Sequence, residues 1–294
     1  MSFKASIIIP VYNDKERLKS TLKAIKDQIA TEQNIEAIVI DNGSTDDTVQ
    51  WLERSDQIKL LSETKNLNSP YSCRNRGIEI AKGDVIILLD ATCCPQIDWL
   101  AKGLRYLEST QADIVGGNVV FDFEGKVTGA KLYDSMTNIK MEESIKKGVA
   151  KTANLFIKKS VFDKIGLFPE GIRSGADVRW TYKATSSGLK LVFCPEAIVY
   201  KPARSFKELV KKQWRVGLHQ PLIWKDQGKP ISLLNAVKKI IIPVSPISVL
   251  KMMRQHQNLK FKGHYVGVLF SAQIVKMTMG LANFKGILRI KKSV

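Results

Sequence analysis

The sequence lacks the patterns by which several common cofactor sites are recognised. Its four cysteines form neither a CxxC pair nor a cysteine–histidine cluster with zinc spacing. No GxGxxG, GxxxxGKS or GxxxxGKT motif follows a predicted strand, which excludes a dinucleotide fingerprint and a P-loop. The cysteine usage indicates a reduced, cytosolic protein. We expect no signal peptide, because a predicted strand begins directly after residue 4.

Acidic residues are scarce in the last third of the chain. Residues 201–294 carry 19 lysine and arginine residues against only Glu208 and Asp226, a net charge of +17. Residues 1–200 carry 27 basic and 26 acidic residues, a net charge of +1. The C-terminal region is therefore expected to meet a polyanion, which can be anionic lipid, nucleic acid or a phosphorylated substrate.

Short apolar runs are abundant in the first 90 residues, and amphipathic helical patterns separate them. The runs cover residues 6–11, 37–40, 58–61 and 85–89. This alternation predicts βαβ units and a mainly parallel sheet. Tyr12, Asp41 and Asp90 each follow a predicted strand, at the edge where open α/β sheets bind ligands. A carboxylate there can hold a ribose hydroxyl or a phosphate-bound cation; alternatively, Asp90 only caps the helix after Pro95.

Several motifs occur in a fixed order along the first 200 residues. They are IIPVYN at residues 8–13, IDNGSTDDT at 40–48, CRNRG at 73–77, LDAT at 89–92, and the stretch 154–200. Together they resemble the inverting glycosyltransferases of family 2, which have the GT-A fold. The resemblance implies an α/β fold with a mostly parallel central sheet flanked by helices. It implies a GT-A domain over residues 1–204, with a basic, partly amphipathic helical region over 205–294.

The resemblance also implies a reaction and roles for individual residues. A sugar moves from a nucleotide-sugar donor to an acceptor hydroxyl. Pro10 and Tyr12 line the nucleobase pocket, Asp41 accepts a hydrogen bond from the base, and Arg74 lies near the base or the phosphates. Asp90 is the first acid of the family's DxD metal motif. From the residues alone, Tyr12 is also open to a packing role and Arg74 to a surface ion pair.

The stretch GADVRW at residues 175–180 resembles the family's acidic motif, in which a Glu-Asp pair is usual. Ala176 replaces the glutamate, whereas Asp177 remains. The resemblance implies that Asp177 is the catalytic base that takes the proton from the acceptor hydroxyl. The alternative is that Asp177 only caps the helix that follows it.

Two positions depart from the family's metal-binding pattern. Thr92 stands where the second DxD acid is expected, and Lys201 stands where many relatives place a metal-contacting histidine. A divalent cation, Mn²⁺ or Mg²⁺, is therefore in doubt. Either it binds weakly through Asp90 and phosphate oxygens, or fixed cations such as Lys201 and Arg204 replace it. An inactive site is the third alternative.

The C-terminal region predicts helices that lie on a membrane. One helix is predicted over residues 205–220, and a second apolar helical face steps through Val266, Phe270, Ile274, Met277, Leu281 and Phe284. Residues 265–284 are long enough to span a bilayer, but Lys276 near their centre favours lying in the interface. The alternative is a helix packed on the protein's own core. We expect a cytoplasmic protein, peripheral on the inner face of the cell membrane.

The predicted role is in cell-surface polysaccharide or lipid-linked glycan synthesis. Its predicted partners are a nucleotide-sugar donor, a glycan or lipid-linked acceptor, and an anionic membrane surface. We expect no nucleic acid, because the basic residues flank long apolar runs and no nucleic-acid motif is present. The alternative function is a catalytically weakened nucleotide-sugar-binding or scaffold protein. Thr92 and Ala176 favour that alternative, whereas Asp177 disfavours it.

Overall fold

The computed structural model describes residues 3–31, 34–55, 58–256 and 258–292. The chain divides into two compact units. The first comprises Met1–Val120 and Met141–Lys201, and the second comprises Phe121–Lys140 and Pro202–Val294. The domains predicted over 1–204 and 205–294 remain a prediction. The compact units differ from them because Phe121–Lys140 groups with the C-terminal residues.

In the part of the chain that the structure describes, eight strands form one sheet. They are β1 (Phe3–Val11), β2 (Ile35–Asp41), β3 (Lys59–Ser62), β4 (Gly83–Leu89), β5 (Cys94–Pro95), β6 (Ile114–Asp122), β7 (Asn154–Lys158) and β8 (Leu191–Pro202). Their order across the sheet is β3-β2-β1-β4-β7-β6-β8-β5.

Parallel pairing joins the strands from which the predicted site residues come. Strand β1 pairs in parallel with β2 and β4, and β2 pairs in parallel with β3. Strand β7 is antiparallel to β4 and β6, and β5 is antiparallel to β8. The predicted α/β fold with a mostly parallel central sheet is confirmed, and antiparallel strands extend that sheet.

The helices alternate with the strands in the first half of the chain and dominate the C-terminal part. They are α1 (Lys15–Ile29), α2 (Thr48–Leu52), α3 (Pro70–Ile80), α4 (Trp99–Ser109), α5 (Gly129–Thr137), α6 (Met141–Ile145), α7 (Ser160–Ile165), α8 (Ala176–Ser186), α9 (Phe206–Asp226), α10 (Leu233–Ile241), α11 (Pro246–Gln255) and α12 (Tyr265–Lys292), with a 3₁₀ helix over Asn258–His264.

The central strands are apolar on both faces because helices cover both sides of the sheet. Ile7, Ile8 and Ile9 of β1 are fully buried, as are the last four residues of β4. Helix α3 lies directly on this layer. A Cβ atom at Gly77 would lie 2.6 Å from Ile8 Cγ2, so only glycine permits the close approach that positions the rest of α3.

The second unit is helical. One buried cluster joins α5, α11 and α12 through Leu132, Met136, Val249, Met253, Val268 and Ala272. Helix α12 also packs against α9 and α10. Helices α9 and α12 both run further than the predicted ranges, which ended at residues 220 and 284. Helix α9 continues through Pro221, and Asn283 of α12 donates a hydrogen bond from Nδ2 to the Gly217 carbonyl at 2.9 Å.

Helix α12 is apolar on two opposite faces. One face is buried and includes Val268, Ala272 and Val275. The other is exposed and consists of Val266, Phe270, Leu281, Phe284 and Leu288. The steps of 4, 11, 3 and 4 residues between these exposed side chains match whole helical turns. The packed-helix alternative therefore holds for one face of α12, and an apolar stripe remains on the other.

Length and hydropathy also single out this part of the chain. Among the described residues, one helical stretch, Phe261–Ile290, is long and apolar enough to cross a membrane. Helices α10 and α11 together would give a second such stretch, but the chain bends by 90° between them. Core helices of soluble proteins meet the same criterion of length and composition.

Candidate active site

The predicted site residues come from adjacent strands of the sheet. Tyr12, Asp41 and Asp90 directly follow or end β1, β2 and β4, which are neighbours in the order β2-β1-β4. Because the three strands are parallel, their carboxyl ends lie at one edge. The convergence expected from the sequence is therefore present in the fold.

Asp90 lies between two basic side chains. Arg74 Nη2, from α3, donates to Asp90 Oδ1 at 2.8 Å, and Lys201 Nζ, from β8, donates to Asp90 Oδ2 at 3.1 Å. The Arg74 and Lys201 side chains are buried, whereas the Asp90 side chain is 31% exposed. Arg74 thus forms an ion pair, but its guanidinium is buried, whereas the alternative from the sequence was a surface ion pair. Asp90 does not cap the helix after Pro95, because the N-cap of α4 is Asp98.

Lys201 also contacts the position of the second DxD acid. Its Nζ donates a hydrogen bond to Thr92 Oγ1 and lies 3.7 Å from Cys93 Sγ. Arg204, the other cation suggested by the sequence, instead pairs with Asp134 at 3.3 Å. The structure therefore brings Lys201, and not Arg204, to Asp90.

These residues do not fit a divalent cation well. Both carboxylate oxygens of Asp90 accept hydrogen bonds from cationic groups, and Thr92 offers a neutral hydroxyl that Lys201 already contacts. Hard divalent ions prefer several carboxylate or carbonyl oxygens. Within the described ranges, no group of three or more histidine, cysteine, aspartate or glutamate side chains is arranged to hold a metal ion. A positive charge nevertheless occupies this site, because an ammonium and a guanidinium group flank Asp90.

Asp177 lies in the first turn of α8 and is almost fully buried. Its Oδ1 accepts hydrogen bonds from the Tyr71 hydroxyl and from the Val178 backbone N–H, both at 2.9 Å. The N-cap of α8 is Gly175, so Asp177 is not the capping residue. The helix dipole favours a negative charge at this position. The structure thus provides a held carboxylate, as a catalytic base requires.

Tyr71 was not predicted from the sequence, although its hydroxyl contacts the proposed base Asp177. It lies one helical turn before Arg74 on α3, and the Arg74 guanidinium lies 5.4 Å from the centre of its ring. Burial, with a further contribution from the Asp177 carboxylate, raises the pKa of Tyr71 well above 10. Its hydroxyl therefore stays protonated and continues to donate to Asp177. The i, i+3 spacing from Arg74 was the signal that could have identified it.

The predicted nucleobase pocket comprises Asp41 and its neighbours. Asp41 ends β2 and is buried; its Oδ2 accepts hydrogen bonds from the Gly43 N–H at 2.9 Å and the Ser44 N–H at 3.0 Å. Pro10 lies in β1 opposite Ile40, and Tyr12 is 47% exposed. This exposure disfavours the packing alternative for Tyr12. The donor-binding roles of these residues remain predictions.

Comparison with known proteins identifies relatives along most of the chain. The family model described as Glycosyl transferase family 2 matches residues 6–166. Glycosyltransferase AglE from Haloferax volcanii is 36% identical over 293 residues, which cover 97% of this chain and 96% of AglE. The O-antigen chain rhamnosyltransferase RfbN from Salmonella typhimurium is 29% identical over 223 residues, 69% of each chain.

A solved structure shows the same architecture. The mannosyltransferase PcManGT from Pyrobaculum calidifontis, in complex with GDP-Man and Mn²⁺, aligns with a TM-score of 0.59. The alignment covers 96% of this chain and 87% of PcManGT at 17% sequence identity, which is a likeness of fold. The GT-A fold inferred from the motifs is therefore confirmed. With the family model and AglE, these findings establish that the chain belongs to glycosyltransferase family 2 and is a sugar transferase.

Proposed function

We propose that this protein is an inverting glycosyltransferase that uses a nucleotide-sugar donor and an acceptor hydroxyl, with Asp177 as the base. The observation that carries the proposal is the arrangement of Asp177. Its carboxylate is nearly buried, held by the Tyr71 hydroxyl at 2.9 Å, and connected through the Tyr71 ring to Arg74. The GDP-Man bound to PcManGT supports a nucleotide-sugar donor.

The proposed reaction is a single displacement. Asp177 takes the proton of the acceptor hydroxyl, and the oxygen attacks the anomeric carbon of the donor sugar. The bond from that carbon to the phosphate oxygen breaks on the opposite face, and its electron pair leaves with the nucleoside diphosphate. The anomeric configuration is inverted. The protein contributes by positioning the two substrates and by stabilising the charge that develops on the leaving group.

Product stereochemistry tests this proposal directly. The purified protein is incubated with a panel of nucleotide sugars and candidate acceptors, and the anomeric configuration of the product is read by NMR. We expect inversion relative to the donor. Retention of configuration would contradict the single displacement. Binding of nucleotide sugars without transfer to any acceptor would favour the binding or scaffold role instead.

Replacing Asp41 with alanine is expected to weaken nucleotide binding by about 1–3 kcal/mol, because a buried acceptor for the base is lost. The turn over residues 43–44 also loses its carboxylate acceptor. The measurement is isothermal titration calorimetry with UDP and with GDP. Asp27→Ala, at an exposed position of α1, is the matched control. A folded Asp41→Ala protein with unchanged affinity for both nucleotides would refute the assignment.

We further propose that the protein works at an anionic membrane surface, in the synthesis of a cell-surface polysaccharide or a lipid-linked glycan. Residues 201–294 have a net charge of +17. The exposed apolar stripe of α12 lies among them, and Leu234, Ile241, Ile242 and Ile247 of the α10–α11 region are also exposed. Exposed apolar side chains with flanking lysines and arginines suit the interface of an anionic bilayer. The name of RfbN, an O-antigen chain transferase, supports the choice of a surface polysaccharide.

The double variant Ile241→Glu, Ile247→Glu tests the membrane proposal. These side chains are 72% and 79% exposed, so glutamate should not disturb packing. We expect the wild type to sediment with vesicles that contain anionic lipid more than with neutral ones. Added salt should weaken binding because charge attraction is screened beyond about 10 Å at 0.1 M. The double variant should bind much less.

Ile97→Glu is the matched control for vesicle binding, because Ile97 is 77% exposed and lies in the first unit. We expect this variant to sediment with anionic vesicles as the wild type does. Equal sedimentation of the double variant and the wild type would refute the membrane surface.

A further inference from the structure

We propose that Arg74 and Lys201, held on Asp90, replace the divalent cation, so that donor binding and transfer need no metal ion. This inference rests on the proposed nucleotide-sugar reaction. It assigns Arg74 and Lys201 as the groups that contact the diphosphate. Asp90 becomes the positioning residue between them, rather than a metal ligand.

The geometry at Asp90 supports this replacement. Arg74 Nη2 and Lys201 Nζ approach different oxygens of the carboxylate, at 2.8 and 3.1 Å. The three groups together carry a net charge of +1, since two cations share one carboxylate. A site of this composition suits an anion. Guanidinium and ammonium groups both bind phosphate oxygens strongly, and the carboxylate fixes where they stand.

The fold places Lys201 beside the DxD position. Strand β8 pairs antiparallel with β5, where Cys94 lies opposite Tyr200 and Pro95 opposite Val199. This register puts Lys201 beside the turn that carries Thr92 and Cys93. The lysine is therefore built into the sheet next to the DxD position and does not reach it from a flexible loop. A group held on a rigid element needs little reorganisation when charge develops on the leaving group.

The identity of residue 92 also favours a lysine over a metal ion. The Thr92 hydroxyl accepts a hydrogen bond from Lys201 Nζ. An aspartate at this position would add a second negative charge and favour a metal ion. Threonine adds none, and it still satisfies one of the lysine protons. A divalent ion beside Asp90 would have to share one carboxylate with two buried cations, which like-charge repulsion opposes. Thr92 and Lys201 together thus disfavour a divalent ion at this site and favour a phosphate group.

Nucleotide binding with and without a metal ion distinguishes a site that uses Arg74 and Lys201 from a site that uses a metal ion at Asp90. The wild-type protein is titrated with UDP and with GDP by calorimetry, once in EDTA and once with added Mn²⁺. We expect the same Kd in both conditions for whichever nucleotide binds, and transfer activity that persists in EDTA. Electron paramagnetic resonance of Mn²⁺ should detect no protein-bound ion in the absence of nucleotide.

Lys201→Met keeps the aliphatic stem and removes the charge. We expect it to weaken nucleotide binding by about 10- to 100-fold, the usual range for a lost charge-assisted hydrogen bond. Lys201→Arg, which keeps the charge, should retain most of the affinity. Lys146→Met is the matched control, because Lys146 is an exposed lysine in an ion pair with Glu142. Circular dichroism and thermal unfolding check that each variant is folded.

The double variant Thr92→Asp, Lys201→His restores the metal ligands that the family resemblance implies. We expect this double variant to bind nucleotide weakly in EDTA and to recover its nucleotide affinity with Mn²⁺. Electron paramagnetic resonance should then detect Mn²⁺ bound to the protein. The inference is overturned if EDTA abolishes nucleotide binding by the wild type, or if Lys201→Met leaves the nucleotide affinity unchanged. If the wild type binds neither nucleotide in either condition and transfers sugar from no donor of the panel, the proposed function fails and this inference fails with it.

Discussion

Replacing Asp177 with asparagine is expected to lower the turnover number by about 10²–10⁴-fold while the affinity for the donor nucleotide stays unchanged. The asparagine side chain has the same shape, and its amide oxygen can still accept the hydrogen bond from the Tyr71 hydroxyl. What is lost is the ability to take a proton from the acceptor. The turnover number is measured at saturating donor, and nucleotide affinity is measured separately by calorimetry.

Two other acids serve as controls for this experiment. Asp163 and Glu170 are both exposed, and Glu170 lies 3.3 Å from the Asn66 amide nitrogen. We expect Asp163→Asn and Glu170→Gln to keep near-normal turnover. If Asp177→Asn keeps near-normal turnover and one of these two variants loses it, the catalytic base is the residue replaced in that variant. A fall in nucleotide affinity with Asp177→Asn would mean that Asp177 belongs to the donor pocket.

Replacing Asn154 with alanine is expected to lower the free energy of unfolding by about 3 kcal/mol or more, because two buried groups and one part-buried group lose their partner. Asn154 accepts a hydrogen bond from Trp99 Nε1 at 2.8 Å. It donates to the carbonyls of Asn118 and Ala197 at 3.0 and 2.9 Å. A Cβ atom at Gly117 would lie 2.3 Å from Asn154 Nδ2, so the glycine leaves the space that this amide occupies.

Denaturant unfolding followed by circular dichroism measures the effect. The matched control is Gln50→Ala, an amide at an exposed position of helix α2. It should change the free energy of unfolding by no more than about 0.5 kcal/mol, as surface substitutions usually do. A loss at Asn154 no larger than the loss at Gln50 would show that water or a neighbouring group satisfies Trp99 after the substitution.

Local sequence patterns were sufficient to predict many of the strands and helices. The apolar runs that end at Asp41 and before Asp90 are β2 and β4, and the stretch from residue 70 is α3, with Ser69 as its N-cap and Pro70 in the first turn. These features depend on neighbours a few residues apart, which a sequence displays directly. The ends of α9 and α12 were predicted less well, because both helices continue beyond the last residue of the apolar repeat from which they were predicted.

The sequence by itself determined the fold class, the family and the positions of the candidate acids, because motifs and hydrophobic periods are short-range properties. Only the tertiary structure decided which charged and polar side chains contact each other. Arg74 and Lys201 lie 16 and 111 positions from Asp90, and Tyr71 lies 106 positions from Asp177. Which buried side chains pair over such distances depends on strand order and register, since a shift of one residue would turn Lys201 to the other face of the sheet. The pairing of a buried ammonium with Asp90 and Thr92, and the tyrosine that holds the proposed base, are properties of the packed molecule.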